Sequence, residues 1–543
     1  MRRTVTVGRA EAVEEERAMR RAGIFRSPYP DIEIPEVPLT PFVLERAGKR
    51  GDKPALVDGP TGREVSYSSF AGAVRCAAAG LAGRGFRKGD VFAIYSPNLP
   101  EYAVAVHAVA SLGGVITPAN PLNTAGELAR QLEDSEARWL LTVPPLLEAA
   151  REAADRTGVR EIFVFGDARG ATPFGELFAA REEPPEVRID PREDLLFLPY
   201  SSGTTGLPKG VMLTHRNVVS NLAQVSSPGI NVCMESDTAL ASPFFHISGI
   251  GPVINAGLRV GATIVTVPRF DLETLLEAIQ AYRVTLVWAV PPIVLALARH
   301  PLVDRYDLSS LRLVFSSAAP LSDHVAAACA ERLGCHVRNG YGTTETSPAL
   351  HVTPADASMA RAGAIGPPIP NTECMVADVE SGEPLGANER GEVLVRGPQV
   401  MKGYLNRPDA TARALGADGW LRTGDLGYVD EEGYLHLVDR LKEMIKHRGI
   451  QIAPAELEAV LLSHPRVADA AVVGSPDEEA GEVPKAFVVA SGELSADELR
   501  AFVAERVAPH KRIHAVRFVE AIPKTPTGKV LRRVIAEQDR QTA

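Results

Sequence analysis

A layered α/β architecture followed by a smaller α+β unit is the fold class this sequence predicts, and three observations carry it. The chain has 543 residues, and a single hydrophobic core rarely grows past roughly 250–300 residues, so several lobes are required. From about Pro54 onward, apolar β-rich runs alternate with Ala/Leu-rich helical runs, the pattern of strands layered against helices. Near residue 440 this gives way to a compact stretch of about a hundred residues with its own mixture of helix and strand.

Taken in order, residues 1–50 read as an arm leading into the fold. Met1-Arg2-Arg3 is basic, but Glu11 to Arg21 is charged and Ala-rich, expected to be helical and unlike the apolar centre of a secretory signal. Val91-Phe92-Ala93-Ile94-Tyr95 reads as a strand, Ala103 to Leu112 as a helix, and Leu195-Leu196-Phe197-Leu198 and Val211-Met212-Leu213 as strands. Gly261 to Val267 is a further strand, closed by Pro268. The apolar run Leu286 to Ala298 is interrupted by Pro291-Pro292 and falls short of the ~18 residues of a membrane span. Asp430-Glu431-Glu432-Gly433-Tyr434 is hairpin-like. A boundary at Arg440–Lys442 divides residues 1–441 from 442–543. Beyond it, Pro454 to Leu462 is a helix with proline in its first turn, and Ala470–Val473 and Ala486–Val489 are strands. Ser495-Ala496-Asp497-Glu498 is a capping box opening a helix with Leu499, Phe502, Val503 and Val507 on one side.

Composition narrows the function. A 45% hydrophobic and 23% charged chain is ordinary for a globular protein. A net charge of −10 argues against generic attraction to nucleic acid or an anionic membrane. Cys76, Cys233, Cys329, Cys335 and Cys374 are scattered and form no CxxC pair, which fits a reducing cytoplasm rather than a disulfide framework or zinc site. The C-terminal Gln541-Thr542-Ala543 is no peroxisomal address.

Chemistry concentrates in a few strings. Tyr200-Ser201-Ser202-Gly203-Thr204-Thr205-Gly206-Leu207-Pro208-Lys209-Gly210 packs four Ser/Thr hydroxyls, three glycines and a lysine between two strands. Glycines let backbone N–H groups approach an anion, hydroxyls add donors, and Lys209 adds a compact charge, a combination suited to polyphosphate. GxxxxGK[ST] is absent, which disfavours a P-loop kinase. Further along stand Pro243-Phe244-Phe245-His246-Ile247, Ser316-Ser317-Ala318-Ala319-Pro320, Asn339-Gly340-Tyr341-Gly342-Thr343-Thr344-Glu345, Trp420-Leu421-Arg422-Thr423-Gly424-Asp425, Asp439 to Lys446, and Pro523-Lys524-Thr525-Pro526-Thr527-Gly528-Lys529.

In this order, from about residue 40 to about 535, these strings resemble the adenylate-forming superfamily of acyl-CoA synthetases, luciferases and peptide-synthetase adenylation domains, nearest to 4-coumarate–CoA ligases and their bacterial relatives. The resemblance implies a large domain of two αβ subdomains plus a small β-barrel, and a small mobile domain carrying a catalytic lysine loop. It implies ligation of a carboxylic acid to CoA through an acyl-adenylate, with ATP and Mg²⁺, releasing AMP and pyrophosphate.

The resemblance assigns Ser201, Ser202, Gly203, Thr204, Thr205 and Lys209 to the phosphates, and His246 to the acid's carboxylate. Tyr341 stacks on adenine and Ala318 belongs to the segment packed on it, Asn339, Gly340 and Gly342 join the ATP/AMP site, Thr344 touches the α-phosphate, and Glu345 holds Mg²⁺. Asp425 takes the ribose hydroxyls, Arg440 adds a ribose or phosphate contact, and Lys529 bridges carboxylate and α-phosphate. Lys442 falls at the hinge. Lys446 and Gln451 meet the adenylate in the thioester-forming state, and Lys446, Arg448 and Gly449 meet CoA. The acyl pocket involves Ile247, Ser248, Gly251, Trp288, Phe315, Ser317, Gly340, Pro348, Ala349 and Leu350. Plant coumarate ligases usually carry Tyr at Ser248, Asn at Gly251, a smaller apolar residue at Trp288 and Lys at Phe315. Trp288 and Phe315 read equally as core. The expected substrate is an apolar acid, cinnamate-like first and a medium-chain fatty acid second. Competing readings are a luciferase-type oxygenase, an adenylating enzyme serving a carrier protein, and a non-catalytic nucleotide-binding scaffold. The last predicts loss of Lys209, Glu345, Asp425 or Lys529, all of which are present.

Overall fold

The computed structural model describes residues 23–201, 208–240, 243–268, 271–447, 450–477, 480–525 and 528–542. The helix expected over Glu11 to Arg21 lies outside them, as do Ser202, Gly203, Thr204, Thr205, Arg448 and Gly449 among the candidate site residues.

Two large sheets share a layer of helices. In the first, Val115–Ala119, Val91–Tyr95, Trp139–Thr142 and Glu161–Val164 run parallel. Lys209–Thr214 closes one side antiparallel to Leu195–Phe197. Four of the five residues of Val91–Tyr95 are buried, as a parallel strand covered on both faces requires. In the second sheet Thr263–Thr266, Thr238–Leu240, Leu286–Ala289, Leu313–Ser316 and His336–Gly342 run parallel, and Ala349–Val352 turns back on the last of them. Between the sheets lie Tyr67–Gly83, N-capped by Ser66, and Pro100–Ser111, whose small side chains are almost all buried. Their core joins Phe92 and Ile94 of the first sheet to Leu286 and Leu313 of the second.

The apolar run Leu286 to Ala298 divides into a strand and the helix Pro291–Arg299, with both prolines in its first turn where no N–H partner is needed. Residues 23–50 are more than an arm. Ile24–Arg26 pairs with Glu373–Ala377, and the Leu39–Leu44 helix buries Leu39, Thr40, Phe42 and Val43. The lobe expected as a small β-barrel is a five-stranded antiparallel sheet, with Leu421–Val429 and Leu435–Arg440 as its last hairpin.

Past Arg440 a separate core gathers Ile445, Leu457, Val472, Val488, Leu499 and Val503. Its sheet pairs Val467–Asp477 with Gly481–Ala490 and packs against the Pro454–Leu462 helix. The capping box expected at Ser495 is only half made. Ser495 Oγ accepts from the Glu498 N–H, but the Glu498 carboxylate turns to Arg466 instead of back to the cap. Among the described residues, bonds that cross from one body to the other include the Glu443 N–H to the Arg440 carbonyl, the Ala455 N–H to Asp439 Oδ2, and Arg299 to the Leu462 carbonyl.

Candidate active site

A cavity of about 750 Å³ opens at the carboxyl ends of the parallel strands of the second sheet, the usual ligand position in open α/β sheets. Its apolar end is walled by Ile247, Trp288, Phe315, Pro348 and Ala349, with Ser248, Ser317 and Gly340 also on its surface. Trp288 and Phe315 are both nearly buried, their rings 4.6 Å apart, so each is core and cavity wall at once. A Cβ on Gly340 would stand 2.7 Å from the Phe315 ring, so only glycine lets that ring lie flat here. Gly251 and Leu350, expected in the pocket, do not reach it. Gly251 faces the Ser347 carbonyl and the Pro348 ring from behind the wall, and Leu350 is turned into the core. Val225, Val232, Phe245, Pro252 and Val352 line the cavity as well. They carry no polar chemistry, and apart from Phe245, which stands beside His246, nothing in the sequence marked them.

His246 faces the cavity from the turn before the Gly249–Ala256 helical segment. Its Nδ1 accepts the Ser248 N–H at 3.2 Å and lies 2.7 Å from Ser248 Oγ. That assigns the proton to Nε2. Enclosure pushes its pKa down to about 4, so the ring is neutral at pH 7 and offers one N–H donor to an anion. Asn98 Oδ1 accepts the neighbouring Phe244 N–H at 2.8 Å and fixes the loop.

The corner expected to take phosphates brings Ser201, Lys209 and Glu345 together. Ser201 Oγ donates to Glu345 Oε1 at 3.1 Å, and the Tyr404 phenol donates to the same oxygen at 2.9 Å. Lys209 Nζ sits 4.2 Å from the centre of the Tyr404 ring. Burial lowers the Lys209 pKa, and Glu345 works against that. Among the described residues no group of three or more His, Cys, Asp or Glu side chains could hold a metal ion. Glu345 still fits Mg²⁺. It is a hard oxygen ligand in the same corner as Lys209, and Mg²⁺ usually shares one or two carboxylates with nucleotide phosphates.

A third cluster suits a nucleoside. Tyr341 lines the cavity, and its phenol donates to Asp425 Oδ2 at 2.6 Å. Arg440 Nε holds Asp425 Oδ1 at 3.0 Å. Burial lifts the Asp425 carboxyl above its usual range, with Arg440 pulling it back. Gly342, Thr344 and Glu345 continue the wall, and Ala318 joins it with φ of 76°, a left-handed conformation costly for a non-glycine residue. Asn339 is tied through its N–H to Thr353 Oγ1 rather than placed on the cavity surface.

The small domain contributes Thr525 and Lys529 to the cavity. Thr525 closes the lysine loop, its Oγ1 accepting the Lys529 N–H at 3.0 Å and its carbonyl the Gly528 N–H. Lys529 Nζ lies 3.9 Å from Glu443, which also pairs with Arg532. Burial depresses the Lys529 pKa and Arg440 adds to this, while Glu443 and Asp425 oppose it. Lys446 and Gln451 are not brought to the cavity. They are opposite each other on the hairpin Ile445–His447 and Ile450–Ile452, both exposed, and Lys442 is exposed in the turn before it.

Comparison with known proteins agrees with this geometry. Residues 43–405 match the family described as AMP-binding enzyme, and residues 456–529 its C-terminal domain. The chain is 43% identical over 521 residues to 4-coumarate–CoA ligase 1 of Petroselinum crispum, covering 94% of this chain and 96% of that one. It is 43% identical over 540 residues to the 4-coumarate–CoA ligase of Vanilla planifolia, covering 96% and 97%. Among solved structures, an anthranilate CoA ligase in complex with anthranoyl-AMP superposes with a TM-score of 0.86 at 27% identity, covering 94% of this chain and 99% of that one. ATP-bound MatB from Rhodopseudomonas palustris gives 0.83 at 28%, covering 93% and 100%. With a large-domain match over residues 43–405 and a cavity built from the same strings, the chain belongs to the AMP-binding enzymes, the adenylate-forming superfamily.

Proposed function

We propose that this chain is an AMP-forming acid–CoA ligase acting on apolar aryl acids of the cinnamate type. The observation that carries the reading is that His246, Lys529 and the Tyr341–Asp425–Arg440 cluster face one cavity whose far end is apolar.

The acid's carboxylate is held by the His246 Nε2–H and the Lys529 ammonium, which also reaches the α-phosphate. Tyr341 and Asp425 fix adenine and ribose, so a carboxylate oxygen is aligned on the α-phosphorus. As that P–O bond forms, the bond to pyrophosphate breaks, and Lys209, Lys529 and the donors of the loop containing Ser202, Gly203, Thr204 and Thr205 receive the developing charge. Glu345 would hold Mg²⁺, which would supply further charge neutralisation there. The small domain then turns about Lys442, withdrawing Lys529 and bringing in Lys446, Arg448, Gly449 and Gln451. The CoA thiol attacks the acyl carbon and AMP leaves.

The apolar wall supports the choice of acid. Ser248 is engaged with His246, and Phe315 offers no donor or acceptor to a ring hydroxyl, which leaves the Ser317 hydroxyl on that wall. A wall this sparse in polar partners for that hydroxyl discriminates weakly for or against it. Val225, Val232 and Val352 favour, as a second reading, a medium-chain aliphatic acid. The setting is cytoplasmic, consistent with five free cysteines and, among the described residues, no helix long and apolar enough to cross a membrane.

The test is release of AMP and pyrophosphate with ATP and Mg²⁺ across cinnamate, coumarate, benzoate and C6–C12 fatty acids, with and without CoA. Acyl-CoA and AMP appearing only with CoA are expected, with cinnamate and coumarate used about equally. Acyl-AMP accumulating regardless of CoA would point to a carrier protein as acceptor. A strong preference for the 4-hydroxylated acid would overturn the reading of the pocket.

A further inference from the structure

We infer that Tyr404 is a positioning residue that sets both the phosphate lysine and the metal carboxylate, an inference that rests on the roles given above to Lys209 and Glu345. The short strand Gly403–Tyr404 is stitched to both segments. It pairs antiparallel with Lys209–Thr214, Val211 opposite Tyr404 and Met212 opposite Gly403. The Lys402 N–H reaches the Met212 carbonyl and the Leu405 N–H the Gly210 carbonyl, each at 2.9 Å, while the Met401 N–H reaches the Glu345 carbonyl at 2.8 Å. Two segments 136 residues apart in sequence, Lys209 and Glu345, are thus held to one strand.

The side chain completes the brace. Its hydroxyl donates to Glu345 Oε1 at 2.9 Å, and Ser201 donates to the same atom. With Oε1 engaged, Oε2 is the oxygen left for a cation, and the carboxylate cannot spin. The ring meanwhile seats the Lys209 ammonium at 4.2 Å. Its negative face offsets part of the hydration that burial removes. The phenol therefore serves two ligand contacts through two different parts, which makes them separable.

Calorimetric titration of a non-hydrolysable ATP analogue, with and without Mg²⁺, tests this on the full chain. Wild type is expected to bind more tightly with Mg²⁺. In Tyr404→Phe the metal-dependent gain falls roughly tenfold, the scale of one hydrogen bond to a charged group, while metal-free binding is kept because the ring remains. In Tyr404→Leu metal-free binding also weakens. In a Glu345→Gln background the Tyr404→Phe change adds nothing further, since its partner is gone. Tyr404→Phe retaining the full metal gain overturns the inference, as does an equal loss with and without Mg²⁺, which marks a merely structural tyrosine. If wild type itself shows no metal-dependent gain, the role given to Glu345 fails instead.

Discussion

Tyr341 and Lys529 reach the same cavity from opposite sides, and they are held in different ways. Tyr341 stands on a strand of an eight-stranded sheet, bonded to Asp425, which is clasped in turn by Arg440. It packs against the core that joins the two large sheets. Lys529 stands on a loop closed by Thr525, and its charge is met at 3.9 Å by Glu443, itself part of the small domain. A handful of backbone and side-chain bonds join that domain to the large one. The difference teaches which wall is a fixed template and which is an exchangeable tool: a group needed in one half-reaction can be carried by a body held loosely enough to leave.

The sharpest test is Lys529→Ala. Acyl-adenylate formation should fall by at least about 10²–10³, the scale of one preorganised electrostatic group, while thioester formation from supplied acyl-AMP largely survives. Equal loss in both half-reactions, measured by pyrophosphate release and by acyl-CoA formation, would break the comparison. Asp425→Asn probes the other wall. AMP stays bound through both half-reactions, so both should weaken, each by roughly ten- to a hundredfold, with the ATP KM raised. A defect confined to one step would mean that the large-domain wall is not the shared template.

Legibility in the sequence followed the same division. Lys209, Glu345, Asp425 and Lys529 stand out because charged residues sit inside long strings of glycine and hydroxyl residues. The Pro454–Leu462 helix is readable because proline marks its first turn and the apolar period is local. What was not legible depended on distant partners. Ile24–Arg26 becomes a strand only through a segment about 350 residues away, against which Arg26 also bonds Glu373 across 347 residues. Tyr404 looks like any aromatic in a turn until Lys209 and Glu345 are placed around it. Ser248 read as pocket wall, yet its N–H also sets the His246 tautomer, a detail of two residues' geometry that spacing does not encode.

Smaller effects sharpen the contrast further. Lys529 is pressed toward neutrality by burial and by Arg440 and Arg532, and held charged by Glu443 and Asp425. Glu443→Gln removes one of the two groups holding the proton on, so the alkaline limb of the adenylation rate should move to lower pH, while a large-domain limb would stay put. An unmoved limb would take Glu443 out of the lysine's environment. The large domain has its own pH signature. Burial drives His107 to about 3 and His215 and His351 to about 4. The unfolded chain protonates these near 6.5 while the folded one does not. Their contribution to stability is therefore complete above pH 6.5 and is lost as pH falls toward 4. Thermal unfolding between pH 7 and 4.5 should show the large-domain transition dropping steadily; a flat profile would mean these rings find water in the folded state.

The smallest expected effect asks whether the small domain is an independent body at all. Its helix Ala496–Ala504 is capped by Ser495 Oγ, which accepts the Glu498 N–H at 3.1 Å. The other half of the box is missing because Arg466 takes the Glu498 carboxylate. Ser495→Ala should therefore cost about 1 kcal/mol, the value of a single cap, whereas Glu498→Gln should leave the cap intact and disturb only an exposed ion pair worth less. If the two bodies are joined as loosely as their few bonds imply, calorimetry will place the Ser495→Ala loss in the small-domain transition alone, with the large-domain transition and the rate of adenylation unchanged. A matching shift in both transitions would show that the wall carrying Lys529 is bound to the template more tightly than a body that must turn away from it can be.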